Sequence, residues 1–337
     1  MNYCGIDLAN KSSSICITNT TGKVLHRATV ATESDDIGQA LKGFGQLTVI
    51  IEASPLAEMI ATLIEGYGHT AVIIDARSAK HLMSAMKKTD RRDAQTLAEI
   101  GRCGWYTKVH RKSSEARELR SLLRARQTLL KSNKALKSSI RGLLRSHGIR
   151  LGKVSEGKFS QAVTEVVSQK VPNLLPALTA MLDVLALAGA QAKELKKSLE
   201  ARCAQDAVSQ RLESVPGIGP LISTAYRATI DDPHRFRCGD EIADYLGLAP
   251  SVYQSGEVEY RGRITKEGDR LLRWHLVEGA HVLLTKGKDC ALKRWGLSLE
   301  KRKGSAKAKV AVARKLAILL WTLWKDEQLF EAFPSPA

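Results

Sequence analysis

The apolar positions change their period along this chain, and each change predicts a different kind of element. YCGIDLA (3–9) and SSICITNT (13–20) are apolar, β-branched runs, TTGK reads as a turn, and VLHRATVA (24–31) alternates. Together they predict a three-strand meander. SDDIGQALKGF has helical spacing, with Ser34 or Asp35 available as its N-cap. LTVIIEA (47–53) is continuously apolar, as in a strand covered on both faces. Pro55 opens a helix that Gly66 or Gly68 closes, and HTAVIID (69–75) reads as a fifth strand. The predicted order is β-β-β-α-β-α-β. Residues 77 to 102 read as helical, and the spacing of Asp90, Asp93, Leu97 and Ile100 sets the acidic pair at a helix start, facing inward.

From Ser114 to about His147 the apolar residues, Leu119 and Leu123 through Ile140 and Leu144, keep helical intervals over one long element. A second long helix, rich in Ala and Leu, runs from about Leu174 to Arg202, its start marked by Pro172 and Pro176. Two such helices with no local covering elements predict an antiparallel coiled-coil hairpin that extends from the body or dimerises. A plain helical linker packed on the body has the same periodicity. Further on, RLESVPGIGPLISTAYRATI reads as helix, tight turn, helix, and resembles a helix-hairpin-helix. The backbone N–H groups of Gly217 and Gly219 would then face a DNA phosphate, although a Gly-Pro turn can join two helices with no ligand at all. Residues 249–268 alternate around Gly256 and Gly262 as a short hairpin or ordered loop, and Arg270–Leu284 and Lys307–Trp324 return to helix. The fold class is α/β plus all-α, divided into residues 1–108, a helical region 109–205, and a C-terminal domain 206–337.

Charge adds a partner to this outline. The 337 residues carry a net charge of +17, which points to a polyanion, nucleic acid before membrane surface. Residues 1–86 hold 6 Lys and Arg against 8 Asp and Glu, and the remainder holds 46 against 27. Within the first long helix Arg120, Arg124, Lys134 and Arg141 belong to a stretch, 111–153, with 13 basic and only 2 acidic residues. Solvated coiled-coil faces mix both signs, so an RNA or DNA backbone is the expected neighbour. Trp295, in a second basic stretch, is either a stacking platform for an unpaired base or a core anchor. The six cysteines form no C-x-x-C pair and suggest neither a zinc site nor a disulfide framework. Runs of large apolar residues, such as LAILLWTLW, fall short of the roughly 20 that cross a bilayer, and the expectation is a cytoplasmic protein with no membrane partner.

Four carboxylates carry the candidate chemistry. Asp7 interrupts one apolar strand, Glu52 ends another, and Asp90 and Asp93 lie one helical turn apart. A charge is disfavoured within a strand and costly when buried. If the two strands are neighbours and the helix closes over them, the four acids converge, and two Mg²⁺ or Mn²⁺ ions about 4 Å apart would offset their repulsion and support phosphoryl transfer. Taken singly, any of them reads as a surface charge or helix cap.

The blocks GIDLANKS, IEASP, KTDRRDAQTLA, VPGIGP and LGLAPSVYQSGEVEYRGRITKEGDRLLR are similar, end to end, to the Asp-Glu-Asp-Asp transposases of insertion-sequence family 110, which include Piv-type DNA invertases and bridge-RNA-guided recombinases. The resemblance implies a RuvC-like RNase H fold at the N-terminus, a coiled-coil middle and a C-terminal transposase domain. It implies that Asp7, Glu52, Asp90 and Asp93 bind metal, Mg²⁺ or Mn²⁺, and that Ser255 is the nucleophile, attacking a DNA phosphodiester to give a 5′- or 3′-phosphoserine intermediate. Arg261, Arg263, Arg270 and Arg273 lie near it in sequence and could clamp phosphates. Donor and target DNA, a guide RNA, and a dimeric or tetrameric assembly in which acids of one subunit meet the serine of another are further implications. Ser251 is a competitor for Ser255, and His275 and His281 are unassigned helix-face histidines. The alternatives are a RuvC-like nuclease using water, an invertase working without RNA, an actin-like ATPase lacking its second phosphate loop, and a packaging protein.

Overall fold

The computed structural model describes residues 2–75, 90–255 and 258–333, with the side chains of residues 90, 91, 253–255, 258, 259 and 261 outside that description. The chain forms two compact units, 1–112 and 113–337.

In the first unit the sequence order is β1 (Asn2–Leu8), β2 (Ser12–Thr18), β3 (Val24–Ala31), α1 (Ser34–Leu41), β4 (Leu47–Glu52), α2 (Ala57–Gly66), β5 (Thr70–Ile74) and α3 (Asp90–Cys103). The expected β-β-β-α-β-α-β order is the observed one. The strands form one sheet ordered β3-β2-β1-β4-β5. β1 runs antiparallel to β2 and parallel to β4, and β5 continues the parallel side. This order is consistent with a RuvC-like fold.

Alternation along the strands sorts side chains onto two faces. Cys4 and Ile6 of β1 and Val49 and Ile51 of β4 pack with Ile37, Leu41, Ile60 and Ile64 of α1 and α2. On the other face Ile50, Val72 and Ile74 pack with Leu97 and Ile100 of α3. Helix α1 differs from expectation at its start: Glu33 is its N-cap, and neither Ser34 nor Asp35 supplies a capping bond.

The second unit begins with α4 (Ser114–Ser146), capped by the Ser113 hydroxyl, which accepts from the Ala116 N–H at 3.1 Å. It continues through α5 (Phe159–Lys170), α6 (Leu175–Ala204), α7 (Ala207–Glu213), α8 (Pro220–Ile230), α9 (Gly239–Tyr245), the hairpin β6 (Pro250–Ser255) and β7 (Val258–Ile264), and then α10 (Arg270–Lys286), α11 (Ala291–Lys303) and α12 (Ser305–Lys325). Helices α4 and α6 are the two long elements, and they pack antiparallel. Leu119 and Leu123 share a cluster with Leu199, whereas Ile140 and Leu144 share one with Leu178 and Leu182.

The expected absence of covering elements is corrected here. Phe159, Val163 and Val167 of α5 cover one end of the pair, and the C-terminal helices cover the other. Helix α5 is only 12 residues long, yet Phe159, Val163, Val166 and Val167 recur at helical spacing, so its amphipathic face was legible in the sequence. The segment 172–204 also exceeds what runs of large apolar residues suggested. It contains an 18-residue stretch of mean hydropathy 1.6, 22% buried, long and apolar enough by length and composition to cross a membrane. Alanines supply much of that hydropathy, and its buried positions, Leu178, Leu182, Leu185, Ala188 and Ala192, recur at helical spacing.

The core of the second unit gathers around Tyr226, whose hydroxyl donates to the Ala317 carbonyl at 2.6 Å. Trp295 packs against this core with the Lys315 ammonium 4.3 Å from its ring centroid, so the core-anchor reading of this tryptophan is the one observed.

Candidate active site

The parallel register brings the first two acids together. β1 and β4 pair as Gly5 with Ile50 and Ile6 with Ile51, so the next step sets Asp7 beside Glu52 on neighbouring strands, about 4.8 Å apart along the backbone. Both side chains are half-buried. Ile50 packs on α3, and Glu52, two residues later, lies on that same face.

Helix α3 reaches this end of the sheet because two glycines let it approach. A Cβ on Gly5 would stand 2.0 Å from the Ala94 carbonyl oxygen and 2.5 Å from the Ala98 nitrogen. A Cβ on Gly101 would meet Ile50 Cγ1 at 2.5 Å and Tyr3 Cδ1 at 3.6 Å. Gly101 therefore lies over the Tyr3 end of β1 and Ala94 over Gly5, which makes α3 antiparallel to β1 and directs its first turn toward Asp7. That turn holds Asp90 and the half-buried Asp93. Ser14, the cross-strand neighbour of Asp7, shares its face, a hydroxyl that only the register reveals.

The donor chemistry of this set, carboxylate oxygens with neither thiolate nor imidazole, suits a hard divalent cation. Among the described residues no group of three or more His, Cys, Asp or Glu closes into a ligand cluster. Asp7 and Glu52 thus lie side by side, Asp93 is on the helix that covers their face without completing a three-residue group with them, and the Asp90 side chain lies outside the described residues.

Ser255 is the last residue of β6 and pairs with Val258 across the hairpin, while its side chain lies outside the described residues. Its competitor Ser251 is occupied: the hydroxyl donates to the Arg263 carbonyl at 3.0 Å, and Gly262 leaves room for it, since a Cβ there would lie 2.5 Å from Ser251 Oγ.

The basic residues separate into two groups. Arg120 donates to Asp269 at 2.8 Å and to the Thr229 hydroxyl at 3.1 Å, and its side chain is only 17% exposed. Arg141 donates to the carbonyls of Leu151 (2.7 Å) and Gly152 (3.2 Å) and lies over the Phe159 ring at 5.4 Å. Arg273 donates to the carbonyls of Leu246 (3.0 Å) and Glu267 (2.5 Å). These three guanidiniums, expected on the nucleic-acid face, satisfy structural acceptors that the sequence does not place beside them. Arg124, Lys134, Arg263 and Arg270 are exposed, and the Arg261 side chain lies outside the described residues.

Gly217, with φ of +92°, is needed for packing: a Cβ would approach the Gly279 carbonyl of α10 to 2.5 Å. Gly219 is the N-cap of α8 and faces open space. Helices α7 and α8 flank this turn, and Gly217 has a structural reason that needs no phosphate. His275 is buried, its pKa pushed down to about 4 by burial and then by the nearby Arg126 charge. It is a neutral core histidine.

A mixed sheet with Asp7 and Glu52 at the ends of neighbouring parallel strands is consistent with a RuvC-like DEDD fold, and comparison with known proteins goes further. Residues 4–149, which include all four acids, match the family model DEDD_Tnp_IS110, described as a transposase. Residues 209–295, from α7 into α11, match the transposase IS116/IS110/IS902 family. The chain is 30% identical over 261 residues to the transposase for insertion sequence element IS1111A of Coxiella burnetii, covering 75% of this chain and 71% of that protein. It is 32% identical over 253 residues to a Pseudomonas aeruginosa protein named "Probable family 20 transposase", covering 72% of this chain and 74% of the relative. The transposase for insertion sequence element IS1328 of Yersinia enterocolitica is 23% identical over 245 residues, 72% of this chain and 73% of that one. The chain belongs to the IS116/IS110/IS902 family of insertion-sequence transposases. It is accordingly a DNA-cleaving and DNA-joining enzyme whose substrate is DNA, and its DEDD-type domain suggests a divalent metal.

Proposed function

We propose that this transposase exchanges DNA strands through a serine nucleophile, Ser255, assisted by a divalent-metal site built from Asp7, Glu52, Asp90 and Asp93, with Mg²⁺ as the ion and Mn²⁺ as a substitute. The observation that carries the reading is the register that sets Asp7 beside Glu52 on the face toward which α3 directs its first turn. A bound ion there would supply charge neutralisation at the scissile phosphate and a lowered pKa for a coordinated hydroxyl. The protein's own part is to hold four carboxylates at one sheet end, and to present Ser255 at the tip of a two-stranded hairpin. The serine oxygen forms a bond to phosphorus as its proton passes to solvent, and the bond to the leaving strand's sugar oxygen breaks, that oxygen taking up a proton as the strand departs. Re-attack by a different strand end releases the serine and completes exchange.

Arg263 and Arg270 are exposed close to the hairpin in sequence and suit phosphate clamping, with Arg261 beside them. The long α4–α6 pair as a coiled coil, the α7–α8 turn as a helix-hairpin-helix, the division at 108 and 205, a guide RNA and a dimeric or tetrameric assembly belong to this same reading, supported by the family resemblance.

The test is the covalent adduct. Purified protein incubated with element-end DNA and Mg²⁺ should yield a protein–DNA species that survives denaturing electrophoresis. Ser255→Ala should lose adduct and recombinant product together, and Ser251→Ala should keep both. Cleavage that persists in Ser255→Ala would replace the serine mechanism with hydrolysis by water.

A further inference from the structure

Outside the acid site, the most chemically pointed feature is a groove of about 720 Å³ between α4 and α10, lined by Arg124, Gln127, Thr128, Lys131, Lys134, Asp269, Arg270 and Trp274 among others. Arg124, Lys131 and Lys134 fall on one stripe of α4, separated by one or two helical turns and spanning about 15 Å. Arg270 faces the groove from the start of α10. All four cations are exposed, and among the described residues none forms an ion pair. The carboxylate that lines the groove, Asp269, accepts from Arg120 at 2.8 Å and from the Leu272 N–H at 2.8 Å, and the Arg124 charge also acts on it.

Two further observations make the groove more than a cationic patch. Trp274 is 46% exposed, a large exposure for an indole placed among cations. It touches the neighbouring His275 ring edge-on, with centroids 4.9 Å apart, and it lines the groove. Gln127 also lines the groove, and its Oε1 is buried with no hydrogen-bond partner among the described residues.

We propose that this groove seats an unpaired nucleotide of a single strand, its base stacked on Trp274 and its phosphates drawn along Arg124, Lys131, Lys134 and Arg270. A duplex backbone would use the cations alone. A stacking aromatic serves only a base freed from its pair, and cations spaced along a groove with an aromatic among them are the common means of holding single strands. This inference rests on the chain's acting on nucleic acid and is independent of which residue is the nucleophile.

The test uses the full chain without divalent metal, measuring by fluorescence anisotropy its binding to a short single-stranded DNA, an RNA of the same sequence, and the matched duplex. Trp274→Ala should weaken at least one single strand about fivefold or more, as stacking worth roughly 1 to 3 kcal/mol per base requires. Duplex binding should stay within about twofold, and Trp274→Phe should retain most of the affinity. Lys131→Ala with Lys134→Ala should lower the salt slope for single strands by about 1.4. Loss confined to RNA or to DNA identifies the strand that occupies the groove. Equal loss for single strands and duplex, no loss for any, or loss in Trp274→Phe as complete as in Trp274→Ala with melting unchanged would overturn the proposal. Ser255→Ala should bind as the parent does, so failure of the serine mechanism leaves this result standing. A parent chain that binds no nucleic acid would overturn both readings.

Discussion

At the residue scale, the environment of a side chain decides its role more than its type does. Arg120 and Arg124 stand one turn apart on α4, yet Arg120 is held by Asp269 and Thr229 while Arg124 is exposed. Asp269 loses some of its acidity to burial, but the Leu272 amide and the Arg120 guanidinium outweigh that and hold its pKa below the usual carboxylate range. His275 shows the opposite balance. Its folded pKa of about 4 lies below the ordinary histidine value, so between these two pH values the unfolded chain binds a proton that the folded chain does not. Stability should therefore be fully present near pH 7 and fall by up to about 3 kcal/mol as pH drops toward 4. Urea melts at pH 7 and pH 5 would show it, and His275→Gln should flatten the slope. A slope unchanged by that substitution would assign the pH dependence to other groups.

At the element scale, the approach of α3 to the sheet is the contact on which the acid site depends. Gly5→Ala places a methyl group 2.0 Å from the Ala94 carbonyl and 2.7 Å from Leu97 Cβ, all on packed elements. Overpacking of this kind costs roughly 1 to 3 kcal/mol. Thermal melting should show the loss, and DNA strand transfer should fall further than stability does, because the turn bearing Asp90 and Asp93 moves with the helix. A variant with parental activity would mean that the α3 turn takes no part in the chemistry.

The strands of this unit were legible because buried runs and alternation leave a strong pattern over short lengths, and the acids were legible because a charge inside such a run is conspicuous. Short α9 and α11 were not foreseen, since 7 and 13 residues with sparse apolar spacing resemble loop, whereas α5 was missed although Phe159, Val163 and Val167 keep helical spacing. The fates of Arg141 and Arg273 depend on carbonyls that folding alone brings near. Trp274 was equally hidden: a tryptophan in a helix reads as core, and only the packed α10 shows it left outside.

At the scale of the whole molecule, charge and chemistry are divided between the two units. The acids lie in residues 1–112, while the exposed basic stripe of α4 and the Ser255 hairpin lie in residues 113–337. Family membership fixes what the chain does, an insertion-sequence transposase acting on DNA. The proposed mechanism requires Asp7 and Glu52, 45 residues apart in sequence, to act with the α3 turn as one cation site. The most direct measurement is Mn²⁺ binding to the full chain, followed by electron paramagnetic resonance, in the parent and in Asp7→Asn, Glu52→Gln and Asp93→Asn. The account predicts that each single substitution weakens the same bound Mn²⁺ by tenfold or more while the melting temperature holds. Undiminished Mn²⁺ binding in Asp7→Asn or Glu52→Gln would contradict it.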